Sequence, residues 1–400
     1  MAMDFYLSIV DLETAILILF VPLVFELPRV VIKCLILLYD RFSQREEAVT
    51  RWKPKVSIVV PAHNEGEVIE DAIESLLDID YPNKEIIVID DGSTDDTYLK
   101  ARWYAQRGLI KLFRKEGGGS KASALNYGFA FASGDIIVFL DADTRIQRET
   151  LEEIISPFTK PEIVAVAGNV RVLNDGNLLG KMQAYEYLVA MEMGRQFQSI
   201  LNLLLVIPGA FGAFRRRLLH EVGVMDEDTI TEDFDMVFKM KKTGGTLFFN
   251  RNAVAWTVVP SSWKEWFRQR IRWARGELQT LRKHSDVILK MSLGVKDFLS
   301  TLDMIITDIV LLYLRTIWFV FLPFIFREIP LWDLMRLIAT FYLILEAMQA
   351  VTAVIVSPRG RREVKYLPLI PIITFFYRPI YALVRFVAYT EEMIGLRAEW

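Results

Sequence analysis

Three sparingly charged apolar runs close the chain, Met304 to Phe326, Leu334 to Val356 and Leu367 to Tyr389, and a fourth, Thr14 to Tyr39, lies near its beginning. At about 1.5 Å of helix per residue, each is long enough to cross a hydrocarbon core of about 30 Å. A chain built this way hides these runs in a bilayer and folds the interval between them as a unit of its own. The composition agrees: 52% of the 400 residues are hydrophobic, too many for an ordinary soluble enzyme, yet 24% are charged.

The N-terminal run is interrupted by Glu26, Arg29 and Lys33. It reads either as one tilted span or as a short span ending near Glu26 and continuing as an interfacial amphipathic helix. A signal peptide is disfavoured, because the first residues are acidic and no small-residue cleavage site comes after them. In the last run Pro368, Pro371 and Pro379 accompany Arg378 and Arg385, so the segment is kinked or lines something polar, such as a hydrated passage. The loop before it carries Arg359, Arg361, Arg362 and Lys365, and Arg41 to Lys55 is also basic. Excess positive charge marks the cytoplasmic side, and two spans between the segments place both there. The reading is a multi-pass protein of the cell membrane: residues 1–50 a membrane segment and basic linker, 51–285 a cytoplasmic domain, and 286–400 a membrane region of about three spans.

Net charge is −3 and the isoelectric point about 5.9, so no basic field argues for a nucleic-acid partner. A single cysteine, Cys34, and three scattered histidines argue against disulfides, structural zinc and a Cys/His nucleophile.

Within the central interval, residues 56–61, 85–89 and 136–140 are short β-branched apolar runs, each followed by polar residues and a helical pattern. Val68, Ile69, Ala72, Ile73, Leu76 and Leu77 share one helical face between the first two. The fold class is α/β: a doubly wound, mainly parallel sheet whose ligands bind beyond the carboxyl ends of its strands. Pro61-Ala62-His63-Asn64-Glu65, Asp90-Asp91-Gly92-Ser93 and Asp141-Ala142-Asp143 fall at those ends. Helix capping, by Ser93 or Asp91 for the next helix, is the plain alternative for one such cluster but a poor account of three. Asp141 and Asp143 leave a strand on the same side and can address one hard cation, Mg2+ or Mn2+, or a sugar-phosphate. There is no GxxxxGK[ST] and no GxGxxG after the first strand, which argues against a P-loop NTPase and a dinucleotide dehydrogenase. Gly117-Gly118-Gly119-Ser120-Lys121 offers a flexible loop and a cation for a phosphate, or a plain surface loop.

The segments VVPAHNE, VIDDGSTDDT, GSKASALNYGFAFASGDIIVFLDADT, VIPGAFGAFRRRLL, TEDFDM and QRIRWARGE occur in that order. Together, over about residues 50 to 285, they resemble the membrane-embedded inverting glycosyltransferases of family 2, of the processive polysaccharide-synthase type that makes poly-N-acetylglucosamine, chitin oligosaccharides, hyaluronan or cellulose. The resemblance implies a GT-A-type domain, a UDP-sugar donor (UDP-N-acetylglucosamine is preferred), a divalent cation, and a growing polysaccharide as acceptor. It implies that Pro61, Ala62, Asn64 and Glu65, with Asp91 or Asp90, hold uracil and ribose, and that Lys121 approaches the nucleotide. Asp141 would lie by the ribose and diphosphate, Asp143 would bind the metal with Asp141, and Asp233 would be the general base. Gln269, Arg272 and Trp273, the QxxRW signature, would close over diphosphate and acceptor sugar, with Gly209, Ala210 and Glu232 also on the acceptor side. The runner-up is transfer of a single sugar to a membrane lipid; an accessory subunit is left open.

Inverting transfer needs a stabilised diphosphate and a base, and no nucleophile, which suits this residue set. Three alternatives stand beside it. WKEWFRQRIRWARGELQTLRK is also an amphipathic helix with tryptophans suited to a membrane surface, and the stretch from Gly180 to Leu205 is suited to core packing. Gly209 to Phe211 also reads as a tight turn before a helix. TEDFD opens a helix running to Gly244, with Thr231 as N-cap. Residues two apart on a helix diverge, so Asp233 and Asp235 are a poor pair for one ion.

Overall fold

The computed structural model describes residues 11–43, 52–116, 119–291 and 294–395. Gly117 and Gly118, residues 1–10 and, within the basic stretch Arg41 to Lys55, residues 44–51 lie outside these. The chain divides into two compact units, residues 46–300 and residues 1–45 with 301–400.

The central unit is built on an eight-stranded sheet in the order β3-β2-β1-β4-β7-β6-β8-β5. The strands are β1 (Val56–Ala62), β2 (Lys84–Asp91), β3 (Lys111–Lys115), β4 (Ile136–Leu140), β5 (Arg145–Ile146), β6 (Ile163–Val172), β7 (Phe211–Arg215) and β8 (Thr246–Thr257). The three predicted strands are β1, β2 and β4. Their branched apolar residues Val59, Ile87 and Val138 are fully buried, as expected of strands covered on both faces. The chain runs outward from β1 to β2 and β3 and then returns to pair β4 with the other side of β1, in parallel. This reversal opens a crevice at the carboxyl ends of β1 and β4, where a doubly wound sheet takes its ligand. Beyond β4 the sheet is mixed: β7 is antiparallel to β4 and β6, and β5 to β8.

The helices that carry or flank the polar clusters are α1 (Ile69–Leu77), α2 (Thr97–Ala105), α3 (Lys121–Ala130), α4 (Leu178–Val189), α5 (Glu232–Lys242) and α6 (Trp263–Lys283). In α1 the buried residues are Ile69, Ala72, Ile73 and Leu76, the predicted stripe; Val68 is left as its N-cap. Three local expectations are corrected. The first turn of α2 is held by Asp95, which accepts from the Thr97 amide at 3.0 Å and the Gly66 amide at 2.9 Å, so neither Ser93 nor Asp91 caps it. Thr231 precedes α5 without a side-chain capping bond; its hydroxyl lies 3.4 Å from that of Thr280 instead. The turn at Gly209 leads into strand β7, and only then into a short helix, Arg216–Glu221. The stretch after Gly180 does pack into the core, with Met182, Tyr185, Leu188 and Met191 buried.

The central unit runs on to Ser300 because its last residues are tied to it. Asp297 pairs with Lys241, and the Ser300 hydroxyl donates to the Leu203 carbonyl at 2.7 Å.

Among the described residues, three helices are long and apolar enough to cross a membrane: Val295–Ile325, which begins in the central unit, Leu331–Val356 and Gly360–Met393. The N-terminal run is two helices, Leu12–Ile18 and Pro22–Ser43, bent by 74°. The break therefore precedes Glu26 and falls at Leu19 to Val21. Glu26 accepts from the Tyr342 hydroxyl at 3.0 Å and faces Arg315 at 3.5 Å. Arg378 pairs with Glu346 at 3.1 Å and Arg385 with Asp308 at 2.9 Å. Arg378 and Arg385 are thus each tied to a carboxylate on another helix, the arrangement that lowers the cost of a charge in an apolar segment.

Candidate active site

The polar residues after β1 and β2 are woven together. Asn64 adopts a left-handed conformation (φ 56°), so its amide nitrogen reaches the Ser93 hydroxyl at 3.0 Å and its Oδ1 accepts from the Thr94 amide at 2.9 Å. His63 Nδ1 meets the Asp91 carbonyl at 2.8 Å. Asp90 is fully buried and engaged by Arg114 at 3.1 Å and by the Ser93 amide at 3.3 Å. Asp91, almost as buried, has Lys115 at 3.6 Å. Asp90 therefore braces the loop, and Asp91 is the one of the pair with the looser partner.

The parallel β1/β4 pairing brings Glu65 within electrostatic reach of Asp141 and Asp143. Burial first, and then those two charges, push Glu65 up to about 7. Asp143 is pushed up to about 6 by burial and by Asp141, against hydrogen bonds from Thr257 and Thr144. Both hydroxyls lie 3.1 Å from its Oδ1. Among the described residues, Oδ2 has no hydrogen-bond partner. Thr257 ends β8, and the short antiparallel pairing of Arg145 with Trp256 lays that strand end beside Asp143.

Antiparallel β7 does the same for the other half of the site. Pairing Leu140 with Phe211 sets the Pro208-Gly209-Ala210 turn against the end of β4, where the Asp141 amide donates to the Ala210 carbonyl at 3.2 Å. The Gly209 amide in turn donates to Asp233 Oδ2 at 2.9 Å, and the Phe234 amide to Asp233 Oδ1 at 2.8 Å. Lys121, the first residue of α3 after the Ser120 cap, stands between the halves. Its ammonium pairs with Asp141, donates to the Gly209 carbonyl at 3.4 Å and lies 3.8 Å from Glu232. Burial works against that charge, but Asp141 and Glu232 outweigh it and hold Lys121 above the usual lysine range. Glu232 is raised by burial and by its neighbour Asp233.

Asp141, Glu232 and Asp233, from distant parts of the chain, thus meet around one lysine and one glycine. Residues 57–223 match the model of glycosyl transferase family 2. The domain belongs to that family.

The poly-beta-1,6-N-acetyl-D-glucosamine synthase of Staphylococcus epidermidis is 34% identical to this chain over 227 residues, 56% of this chain and 55% of that protein. The synthase of the same name from Staphylococcus aureus strain COL is 33% identical over 264 residues, 65% of this chain and 64% of that one. The matches therefore span less than two thirds of these relatives' own length. Among solved structures, a mannosyltransferase from Pyrobaculum calidifontis, in complex with GDP-Man and Mn2+, superposes with a TM-score of 0.61 at 19% identity, covering 92% of this chain and all of that one. That likeness establishes the fold, which is GT-A-like.

No group of three or more His, Cys, Asp or Glu suited to a metal occurs among the described residues. The donors fit a hard divalent cation nonetheless. Such ions are commonly held by one or two carboxylates with substrate phosphate and water completing the shell, and a buried carboxyl at about 6 beside a second acid is a site a cation relieves. Lys121 already occupies Asp141, so Asp143 Oδ2 is the better placed ligand.

In the QxxRW segment, the Gln269 Oε1 is buried without a hydrogen-bond partner, and Arg272 is exposed. Trp273 is backed by the Arg270 guanidinium, 4.2 Å from its ring centre, and Arg270 is anchored by Glu186 at 2.8 Å. Three residues that shape the site or its supports carried no sequence signal of their own: Thr257, the glycine Gly276 and the lysine Lys283. Each is a common residue type whose role comes from an element distant in the chain.

Proposed function

We propose that this glycosyltransferase transfers N-acetylglucosamine with inversion from UDP-N-acetylglucosamine to the end of a β-linked polysaccharide, elongating it processively and moving it across the membrane through its own helices. The observation that carries the reading is the convergence of Asp141, Lys121, Gly209 and Asp233. A donor-side acid and cation stand directly beside a carboxylate whose two oxygens are oriented by backbone amides.

In this reading Pro61 to Glu65 and Asp91 enclose uracil and ribose. Lys121 and Asp141 lie along the diphosphate, and Asp143 with Asp141 holds Mg2+ or Mn2+. A divalent cation there supplies electrostatic stabilisation of the departing diphosphate. Asp233 accepts the proton of the acceptor hydroxyl. Each of its oxygens keeps a lone pair beyond the amide bond it already accepts, so it can take that proton without reorienting. Arg272 provides a cation for phosphate oxygens and Trp273 an aromatic face for the acceptor sugar, with Gly209, Ala210 and Glu232 beside it. The similarity to the staphylococcal synthases supports the donor and the polymeric product. The positive loop at Arg359, Arg361, Arg362 and Lys365 supports a cytoplasmic domain.

The test is product analysis with the full chain in lipid nanodiscs, UDP-N-acetylglucosamine and Mn2+ or Mg2+. A ladder of β-linked N-acetylglucosamine oligomers is expected. A single sugar on a lipid would overturn processivity, and transfer only from a different UDP-sugar would overturn the donor.

A further inference from the structure

The acid two residues after the proposed base has no place in that chemistry, yet it is the most enclosed carboxylate of its helix. Asp235 is fully buried, with Oδ1 at 3.0 Å from Lys283 Nζ and 2.8 Å from His284 Nε2. Lys283 is the last residue of α6 and His284 its C-cap. His284 Nδ1 faces the Lys242 ammonium at 3.1 Å and its ring stacks on Phe238, centroids 5.0 Å apart. An ammonium has only protons to offer, so Nδ1 accepts from Lys242 and Nε2–H donates to Asp235. Lys283 also grips Asp226 and Asp228, each at 2.6 Å, in the loop that leads into α5.

One turn and two turns back along α6, contact with the same segment continues. The Thr280 hydroxyl is 3.4 Å from that of Thr231. A Cβ at Gly276 would lie 2.4 Å from Thr231 Cγ2. Gly276, Thr280 and Lys283 form one stripe of the helix, and the same stripe continued toward the N-terminus carries Trp273 and Gln269, seven residues before Thr280 and Gly276 respectively. Rolling α6 by one residue, about 100°, would carry the QxxRW side chains off that line.

We infer that Asp235, through Lys283 and His284, is a positioning residue that fixes the roll of α6 against α5 and thereby aligns Gln269, Arg272 and Trp273 with Asp233. This rests on the proposed transfer reaction. The geometry has three parts: a charged anchor at the end of α6, a close backbone approach at Gly276, and a shared stripe between them. The anchor touches no reacting atom of the proposed transfer, so its loss acts on alignment and not on donor binding.

The test uses the full chain in nanodiscs. Asp235→Asn and Lys283→Met are each expected to lower kcat by about 10- to 100-fold, the scale of a misaligned catalytic group. KM for UDP-N-acetylglucosamine is expected to stay within about threefold, since donor binding is uniform across the variants. Lys283→Arg should recover most of kcat. Spin labels at the exposed Arg102 of α2 and Arg268 of α6 should give one narrow distance in the wild type and a broadened or shifted one in Asp235→Asn. Wild-type kcat in a folded Asp235→Asn protein, or an unchanged distance distribution, overturns the inference. So does a loss of kcat and donor affinity in equal measure. If Asp235→Asn does not fold, the Met and Arg variants of Lys283 decide. If the wild type transfers no sugar at all while the distance still shifts, the proposed reaction fails and the helix coupling stands.

Discussion

Gly276→Ala sets two well-measured effects against each other. In a helix interior, alanine is more favourable than glycine by about 1 kcal/mol, so on propensity alone the variant is stabilised. At this site, however, the new Cβ would lie 2.4 Å from Thr231 Cγ2, 2.5 Å from Oγ1 and 2.9 Å from Cβ. Since carbon atoms rest at about 3.5 Å or more, α6 and the start of α5 must separate by roughly 1 Å. Rotating Thr231 relieves the first two contacts but not the third, because Cβ is fixed to the backbone. Overpacking of this kind costs about 1–3 kcal/mol, which offsets the propensity gain and leaves stability near neutral or up to about 2 kcal/mol lower. The effect on turnover should be larger, because the displaced segment is the one that carries Glu232 and Asp233. A 1 Å misplacement can lower kcat by about 100-fold. The assay is steady-state transfer with a parallel melting curve. The expected result is a large loss of kcat, a small change in Tm, and partial recovery on adding Thr231→Ala, which removes two of the three crowded atoms. A Gly276→Ala protein with raised Tm and wild-type kcat would refute the close-approach argument.

Other consequences are testable in the same preparations. Asp233→Asn should abolish transfer while UDP binding, measured calorimetrically, stays near wild type; ordinary turnover would remove Asp233 as the base. Asp143 at about 6 and Glu65 at about 7 hold their protons to higher pH in the folded protein than an unfolded carboxyl near 4 does. Raising pH from about 4 to 7 therefore strips protons that only the folded state retained, and stability without metal falls across that window. Mn2+ should raise Tm more at pH 7.5 than at pH 5.5, where it competes with those protons, and equal shifts would contradict the ligand assignment. In the helical unit, Glu346→Leu removes the carboxylate that lies 3.1 Å from Arg378. It should lower Tm in detergent more than the double change Glu346→Leu, Arg378→Leu, because a charge that has lost a carboxylate costs more than the loss of both members of the pair. The reverse order would show that the pair is not a cross-link.

Legibility in the sequence tracked the range of the interactions involved. Strands β1, β2 and β4 announce themselves by unbroken branched apolar runs, because each is buried on both faces. By contrast β6, with Gly168 and Asn169 inside it, and β8, with Asn250 and Asn252, carry polar and small residues that only their partners explain. Helix α1 was readable from its stripe, whereas the capping of α2 was not: Asp95 takes the place of Asp91 and Ser93 because the β1 loop supplies the Gly66 amide. The bend at Leu19 to Val21 and the pairing of Arg378 and Arg385 were likewise hidden, since the carboxylates that meet those arginines lie on other helices.

The two acid triplets separate along the same line. Local sequence was enough to place Asp141 and Asp143 at a strand end, to place Asp233 and Asp235 on a helix, and to argue that the latter two diverge, because two-residue and 3.6-residue periodicities are properties of the backbone. Tertiary structure alone decided where each of them goes. Antiparallel β7 carries Gly209 to Asp141 and presents its amide to Asp233, and β8 brings Thr257 to Asp143. The end of α6 claims Asp235 with Lys283 and His284. Those are contacts across tens of residues, selected by how sheet and helices close on one another, and no short stretch of chain encodes them.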